Sequence, residues 1–309
     1  MRFVSFPLAF FSLKYYNIKL EHYYMRFFMK LKYLGTAAAE GWPALFCKCE
    51  YCENARKLGN KDIRTRSQSL INDDLLIDFP ADTYMHAVTN NLDFSAIKYC
   101  FVTHSHLDHF SPSDLFLRNT DFYAHNMTTP MMTVYGNGDV MDKLKKTIKL
   151  FGDDEAYPLI ETEEIKAYKT VFVGKYSITP LPANHKHNEN AFVYLIESNE
   201  GNILYLHDTG LLYDEVYDYL QKRAVSVGLI SYDCTYVILE SAGGHMGLDS
   251  VPYVRKRLEE IGVANEKTVH IVNHFSHNGK LTHSELCDES EKIGFLCAYD
   301  GMEVTVPMV

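Results

Sequence analysis

The sequence predicts an α/β protein built as one four-layer αββα sandwich, with two sheets facing each other and helices outside. Three observations carry this. Short apolar or alternating runs bounded by turn residues recur through both halves of the chain, and helical periodicity follows several of them. No Ser-, Gly- or Pro-rich linker divides the halves, and 309 residues with 47% hydrophobic content suffice for one large domain. The residues best suited to chemistry stand at the ends of the runs, which places them along one edge.

Residues 1–28 read as an N-terminal extension outside the core, with a single domain over 29–309. Phe3 to Leu13 is apolar but far shorter than the roughly 20 residues a spanning helix needs. Arg2 supplies a basic start, yet no small-x-small cleavage site follows. The first convincing strand is Met29–Leu34. Gly35 to Pro43 is then a loop of small residues.

Cys47, Cys49 and Cys52 follow at once. Thiols spaced by one and two residues can wrap one Zn²⁺ and leave its fourth tetrahedral position to a donor from elsewhere. Seven cysteines in all, an odd number with a clustered trio, suit metal binding in a reducing compartment better than a disulfide framework. Cys100, Cys234, Cys287 and Cys297 sit in apolar runs or a helix and read as ordinary buried or half-buried residues.

Ser69 to Asp78 reads as two short strands across an Asn-Asp-Asp turn, ending on Asp78. The apolar run Ile97–Val102 then leads into Thr103-His104-Ser105-His106-Leu107-Asp108-His109. Three imidazoles and a carboxylate at a strand end converge on one point. His with Asp is the ligand set for zinc, manganese or iron. Ser111-Pro112-Ser113-Asp114 predicts a helix through Leu117. Asp121–His125 reads as a strand whose His125 is a core or surface residue, and Val140–Leu150 as an amphipathic helix.

In the second half, strands are expected at Tyr176–Pro182, Ala191–Glu197, Asn202–Leu206, Val227–Asp233 and Thr268–Val272, with helices at Tyr213–Arg223 and Val251–Ile261. Thr282-His283-Ser284-Glu285 is a capping box that opens the last helix. His185, Asp208 and His274 each follow shortly after one of these runs. His277 follows close behind, and sequence spacing alone leaves open which of His274 and His277 serves which site.

The His-x-His-x-Asp-His motif with these later residues resembles the metallo-β-lactamase superfamily. The resemblance implies one metal on His104, His106, His185 and Asp208, and a second on Asp108, His109, Asp208 and His274, with Asp208 bridging. It gives Asp78 the task of holding ligand histidines by hydrogen bonds. Within the superfamily, the Gly35-Thr36 loop, the cysteine trio and the His274/His277 pair are most similar to the phosphodiesterases of the carbon–phosphorus lyase pathway, which act on a cyclic ribose phosphate. By that similarity His274 is catalytic, and His277 completes a structural zinc site with Cys47, Cys49 and Cys52.

The resemblance thus implies a dinuclear hydrolase with zinc or manganese in its active site, acting on a small or cyclic phosphodiester through a hydroxide that bridges the metals, with Asp108 among the catalytic residues. In such relatives a non-ligand histidine protonates the leaving oxygen. His245, in the glycine-flanked loop Gly243–Gly247, is the first choice, with His187 and His207 behind it. The segment Tyr232–Ala242 departs from the close relatives where the substrate pocket is shaped, so the substrate does not carry over.

A net charge of −10 and a pI near 5.8 argue against an extended nucleic-acid surface. An RNA-processing nuclease of the same fold is the runner-up, and a non-enzymatic accessory protein of cofactor biosynthesis stands behind it. A lactamase is disfavoured, since Asp208 stands where the commonest zinc-dependent class carries Cys. The expected partner is a small molecule rather than a membrane, the expected location is cytoplasmic, and a homodimer is left open.

Overall fold

The computed structural model describes residues 28–119, 122–151, 158–185 and 188–309. The expected extension falls outside them, apart from its last residue. The first sheet contains β1 (Lys30–Gly35), β2 (Gln68–Ile71), β3 (Leu75–Ile77), β4 (Tyr99–Phe101), β5 (Met132–Gly136), β6 (Ile160–Glu164) and β14 (Glu303–Thr305). Its order is β14-β1-β2-β3-β4-β5-β6. The second contains β7 (Val171–Val173), β8 (Tyr176–Pro182), β9 (Phe192–Ser198), β10 (Gly201–Leu206), β11 (Leu229–Asp233), β12 (Val269–Asn273) and β13 (Leu296–Cys297), ordered β13-β12-β11-β10-β9-β8-β7.

Each sheet joins an antiparallel half to a parallel half. Strands β3 to β6 run parallel in one, and β10 to β13 in the other. Parallel strands end on a shared edge, and loops leaving that edge are where α/β sheets bind ligands. The helices are α1 (Glu50–Leu58), α2 (Thr83–Thr89), α3 (Gly138–Phe151), α4 (Asp214–Arg223), α5 (Val251–Glu260) and α6 (His283–Lys292).

Three apolar clusters separate four layers. Leu31, Ile77 and Phe101 of the first sheet meet Tyr194, Ile203, Tyr205 and Ile271 of the second between the sheets. Successive strand residues face opposite ways, so Leu204 and Leu206 pack outward beneath Val216 and Leu220 of α4, Val254 and Leu258 of α5, and Leu286 of α6. On the other side Cys100, Val102 and Val134 lie beneath Val140 and Leu144 of α3. Each buried aliphatic side chain stabilises the fold by about 1.5–3 kcal/mol, and a one-residue slip would exchange the two faces of a strand. Register is therefore tightly set, and with it the position of every strand-end residue.

Two local expectations are corrected. Pro112–Leu117 is a 3₁₀ helix, and Ser111 makes no side-chain cap to it. Phe122–His125, the described part of the expected strand, is a turn with Phe122 largely exposed; Ala124 N donates to Asn119 O (2.9 Å). The place beside β4 goes to β5 instead, whose Val134 and Tyr135 bury against the clusters while the turn residues find no strand partner. Strands β6, β7, β13 and β14 and helices α1 and α2 add to the expected elements. Among the described residues, no helix is long and apolar enough to cross a membrane.

Candidate metal centre

The loop after β4 carries the first ligands, and the structure pins it along its length. Phe110 is fully buried, and its neighbours pair back on Phe79: Phe79 N donates to His109 O (2.7 Å) and Ser111 N to Phe79 O (2.7 Å). In the middle, Glu189 accepts from both Ser105 N and Ser105 Oγ at 2.7 Å. Four donor residues within six positions, His104 to His109, are thereby held as a fixed cup.

Two donor sets converge there. His104 Nε2 lies 2.8 Å from His106 Nδ1, His106 Nδ1 lies 3.1 Å from His185 Nε2, and Asp208 Oδ2 stands 3.0 Å from His104 and 3.4 Å from His185. In the second set His109 Nε2 lies 3.0 Å from both His274 Nε2 and Asp208 Oδ2, and 3.3 Å from Asp108 Oδ2. Ring nitrogens turned toward one another at these distances fit a cation between them, since a tetrahedral ion with bonds of ~2.0–2.1 Å spaces its donors by about 3.3 Å. Asp208 Oδ2 belongs to both sets, so it stands as a bridge. Asp208 Oδ1 is buried without a hydrogen bond of acceptable geometry, although His245 Nδ1 is 3.1 Å away.

Hydrogen bonds set the tautomers that this requires. Thr103 Oγ1 donates to Asp78 Oδ1 (2.9 Å), so toward His104 Nδ1 (3.0 Å) it accepts, leaving Nε2 without a proton. Thr235 Oγ1 repeats the device: it donates to Asp233 Oδ2 (3.0 Å) and accepts from His274 Nδ1 (2.8 Å). His109 Nδ1 donates to Asp78 Oδ2 (2.7 Å), and His185 Nδ1 to Gly244 O (3.3 Å). Four imidazoles thus present bare Nε2 atoms to the centre. Gly244 makes the last contact by close approach, since a Cβ there would stand 2.8 Å from the His185 backbone.

Three of these residues, Asp78, Asp208 and His274, have φ between 55° and 68°. Non-glycine residues in the left-handed region are strained by about 1–3 kcal/mol each, which the surrounding hydrogen bonds must hold. Burial opposes charge on Asp208, but His274 and His109, both raised against burial by the carboxylates around them, keep it well below the usual carboxylate range; a bound cation would take the place of those protons. Burial lowers His104 to about 4, so that ring is neutral and free to coordinate.

Asp233, at the end of β11, is the residue that sequence reasoning missed. Its carboxylate accepts from Asp208 N (3.1 Å), Thr235 N (3.1 Å), Thr235 Oγ1 (3.0 Å) and Met246 N (2.8 Å). These donors occupy its lone pairs and let it organise the site; with Asp208, His245 and His274 it also forms a group whose donor atoms all lie within 4.8 Å of one another. An acid closing an apolar strand was the available signal. Asp233 Oδ2 also lies 3.3 Å from His245 Nδ1. The loop of His245 is therefore tied down, with Met246 fully buried.

His245 lines a cavity of about 460 Å³ together with Asp108, Asp208, His274, Ala38, Tyr236 and Leu239. His207 is elsewhere: it is fully buried between the sheets and 2.7 Å from Ser231 Oγ, and burial holds it well below the usual imidazole range. His125 is exposed, and His187 lies outside the described residues.

Cys47, Cys49, Cys52 and His277 form a separate group, with donor atoms all within 4.8 Å of one another. His277 Nδ1 is 3.3 Å from Cys52 Sγ and 3.8 Å from Cys49 Sγ. Against slight burial, the Cys52 backbone N–H and His277 hold the Cys49 thiol down at about 6. This donor chemistry fits a tetrahedral zinc, and it would join the loop after β1 to the loop after β12, far apart in sequence. Cys47→Ser is expected to lower the melting temperature by roughly 5–10 °C, from about 3 kcal/mol of lost stability. Calorimetry with and without a chelator checks this; equal melting of variant and untreated parent would remove the stabilising role.

A family model described as a beta-lactamase superfamily domain matches residues 75–271. No curated protein matches the chain. Among solved structures, the chain is similar to a diphosphatase of the PhnP family, at 21% identity and a TM-score of 0.67, covering 89% of this chain and 97% of that one. It is similar to zinc-bound PqqB from Methylobacterium extorquens, at 16% identity and 0.68, covering 89% and 99%. The short form of human tRNase Z gives 17% identity and 0.61, covering 90% and 100%.

Proposed function

The chain belongs to the β-lactamase superfamily, and on that premise we propose that it is a metal-dependent hydrolase of a small phosphodiester, linear or cyclic. The observation that carries this is the pair of four-residue donor sets sharing Asp208 in one cavity, with His245 beside them and outside both, although its Nδ1 lies near Asp208 and Asp233. Two divalent ions bound there, zinc or manganese, would activate water at neutral pH and polarise the phosphoryl oxygens, with positive charge exceeding that of Asp108 and Asp208.

The remaining work falls to side chains. His245 Nδ1 is engaged by Asp233, which leaves Nε2 as the atom to hand a proton to the departing alkoxide. Ala38, Ala39 and Leu239 give the cavity apolar walls, and its volume suits a small organic substituent rather than a nucleic-acid strand. The net charge of −10 argues against a broad basic face for RNA.

A substrate panel tests the reading. Metal-loaded protein is assayed on a cyclic phosphodiester, a linear one, a diphosphate ester, a tRNA precursor, a thioester and a lactam. The expected kcat/KM on the best small phosphodiester exceeds that on thioester and lactam by about 10²-fold or more. Preference for the lactam, the thioester or the tRNA precursor overturns it, and so does inertness toward every substrate with both metals bound.

A further inference from the structure

Helix α6 and strand β13 bring together a second sulfur and imidazole group that the metal centre does not use. His283 opens α6, Cys287 lies one turn later, and Cys297 ends β13; their nitrogen and sulfur atoms lie within 4.8 Å of one another. Buried Arg64 reaches in from the loop before β2. Its Nη1 donates to Thr36 Oγ1 (2.9 Å) and Ala298 O (2.7 Å), and its Nη2 lies 3.0 Å from His283 Nδ1 and 3.7 Å from Cys297 Sγ.

A guanidinium only donates, so His283 Nδ1 is the acceptor and the ring proton sits on Nε2. That Nε2 is 3.5 Å from Cys287 Sγ. The arrangement disfavours a metal ion, because Arg64 already engages Nδ1 and brings its own positive charge. Both features favour a thiolate instead.

We propose that Cys287 is a peroxide-reactive thiolate and Cys297 its resolving partner, forming an oxidisable pair outside the metal centre. Cys287 is partly exposed and Cys297 is buried beside it, the order that a peroxide arriving from solvent requires. Hydrogen bonding with Cys297, against partial burial, and then with His283 draws the Cys287 thiol down to about 5. Burial pushes Cys297 well above its ordinary range, so it keeps its proton.

The chemistry balances with a hydroperoxide as oxidant. The Cys287 thiolate attacks the terminal oxygen, an S–O bond forms as the O–O bond breaks, and the alkoxide leaves with the electron pair to take a proton from water. Sulfur is oxidised by two electrons to the sulfenic acid. Cys297 sulfur then displaces that hydroxyl, its proton leaves with it as water, and the disulfide forms. The other thiols are less suited: Cys100 and Cys234 are fully buried and pushed upward, while Cys47, Cys49 and Cys52 face His277.

The test uses reduced, metal-loaded, full-length protein with equimolar hydrogen peroxide, read by peptide mass spectrometry. Trypsin cuts at Lys292, between the two cysteines, so the disulfide appears as a cross-linked peptide pair. In Cys297→Ser, Cys287 is expected to stop at a sulfenic acid trapped by dimedone; in Cys287→Ser, Cys297 stays a thiol. His283→Gln should slow Cys287 oxidation about tenfold. In the unaltered chain, iodoacetamide should label Cys287 before every other cysteine, which keeps the test decisive if a variant fails to fold. Oxidation landing first on Cys47, Cys49 or Cys52 with zinc in place, no cross-linked pair, or an unchanged rate in His283→Gln would each overturn the proposal.

Discussion

Asp208→Asn is expected to cut turnover by about 10⁴-fold, equivalent to about 5.5 kcal/mol of transition-state stabilisation, and to lower the affinity of both active-site metals. One carboxylate oxygen, Oδ2, stands within 3.4 Å of His104, His109 and His185, so a single substitution touches both donor sets. The amide keeps the shape but removes the charge that neutralises two cations. Folding should change little, because the backbone N–H of residue 208 still donates to Asp233. Elemental analysis beside steady-state hydrolysis reads the outcome. A variant with a full metal complement and near-parental turnover would show that the two sets do not act through a shared ligand.

His245→Ala is expected to keep both active-site metals yet lose about 10² to 10⁴ in kcat on an unactivated phosphodiester. Metal retention follows from the geometry: His245 faces Asp233, which retains four other donors without it. The deficit should shrink on a substrate with a nitrophenolate leaving group, which departs without protonation. An equal deficit on both substrates would make His245 a binding residue, and loss of metal would make it a ligand. His207 cannot take over the role from its buried position between the sheets.

The sequence by itself determined the layered α/β architecture and the clustered His-x-His-x-Asp-His motif, while the likeness to a known family singled out His185, Asp208 and His274. The reason is local. Period-two burial assigns each strand its two faces, and a cluster such as His104 to His109 is held together by the chain's own covalent reach, whatever the rest of the fold does. The cysteine trio was legible on the same ground, while the likeness to a known family, rather than spacing, separated His274 from His277. The element between β4 and β5 misled because Phe122 and Tyr123 have strand-like side chains, whereas a strand exists only where a neighbour pairs with it.

Only the tertiary structure decided the rest. Asp233 looks like any strand-end acid until β10, the residue 235 turn and the His245 loop bring four donors onto it. Thr103 and Thr235 set the tautomers of His104 and His274 only because Asp78 and Asp233 lie on their far sides. His207 and His245 differ through packing, since one side chain turns between the sheets and the other faces a cavity. Arg64 meets His283 and Cys297 across more than two hundred residues of chain, a contact created by the packing of the loop before β2 against α6 and β13 and by the direction in which each side chain leaves the backbone. Long-range pairing of this kind has no local signature, so the chemistry it creates becomes readable only in three dimensions.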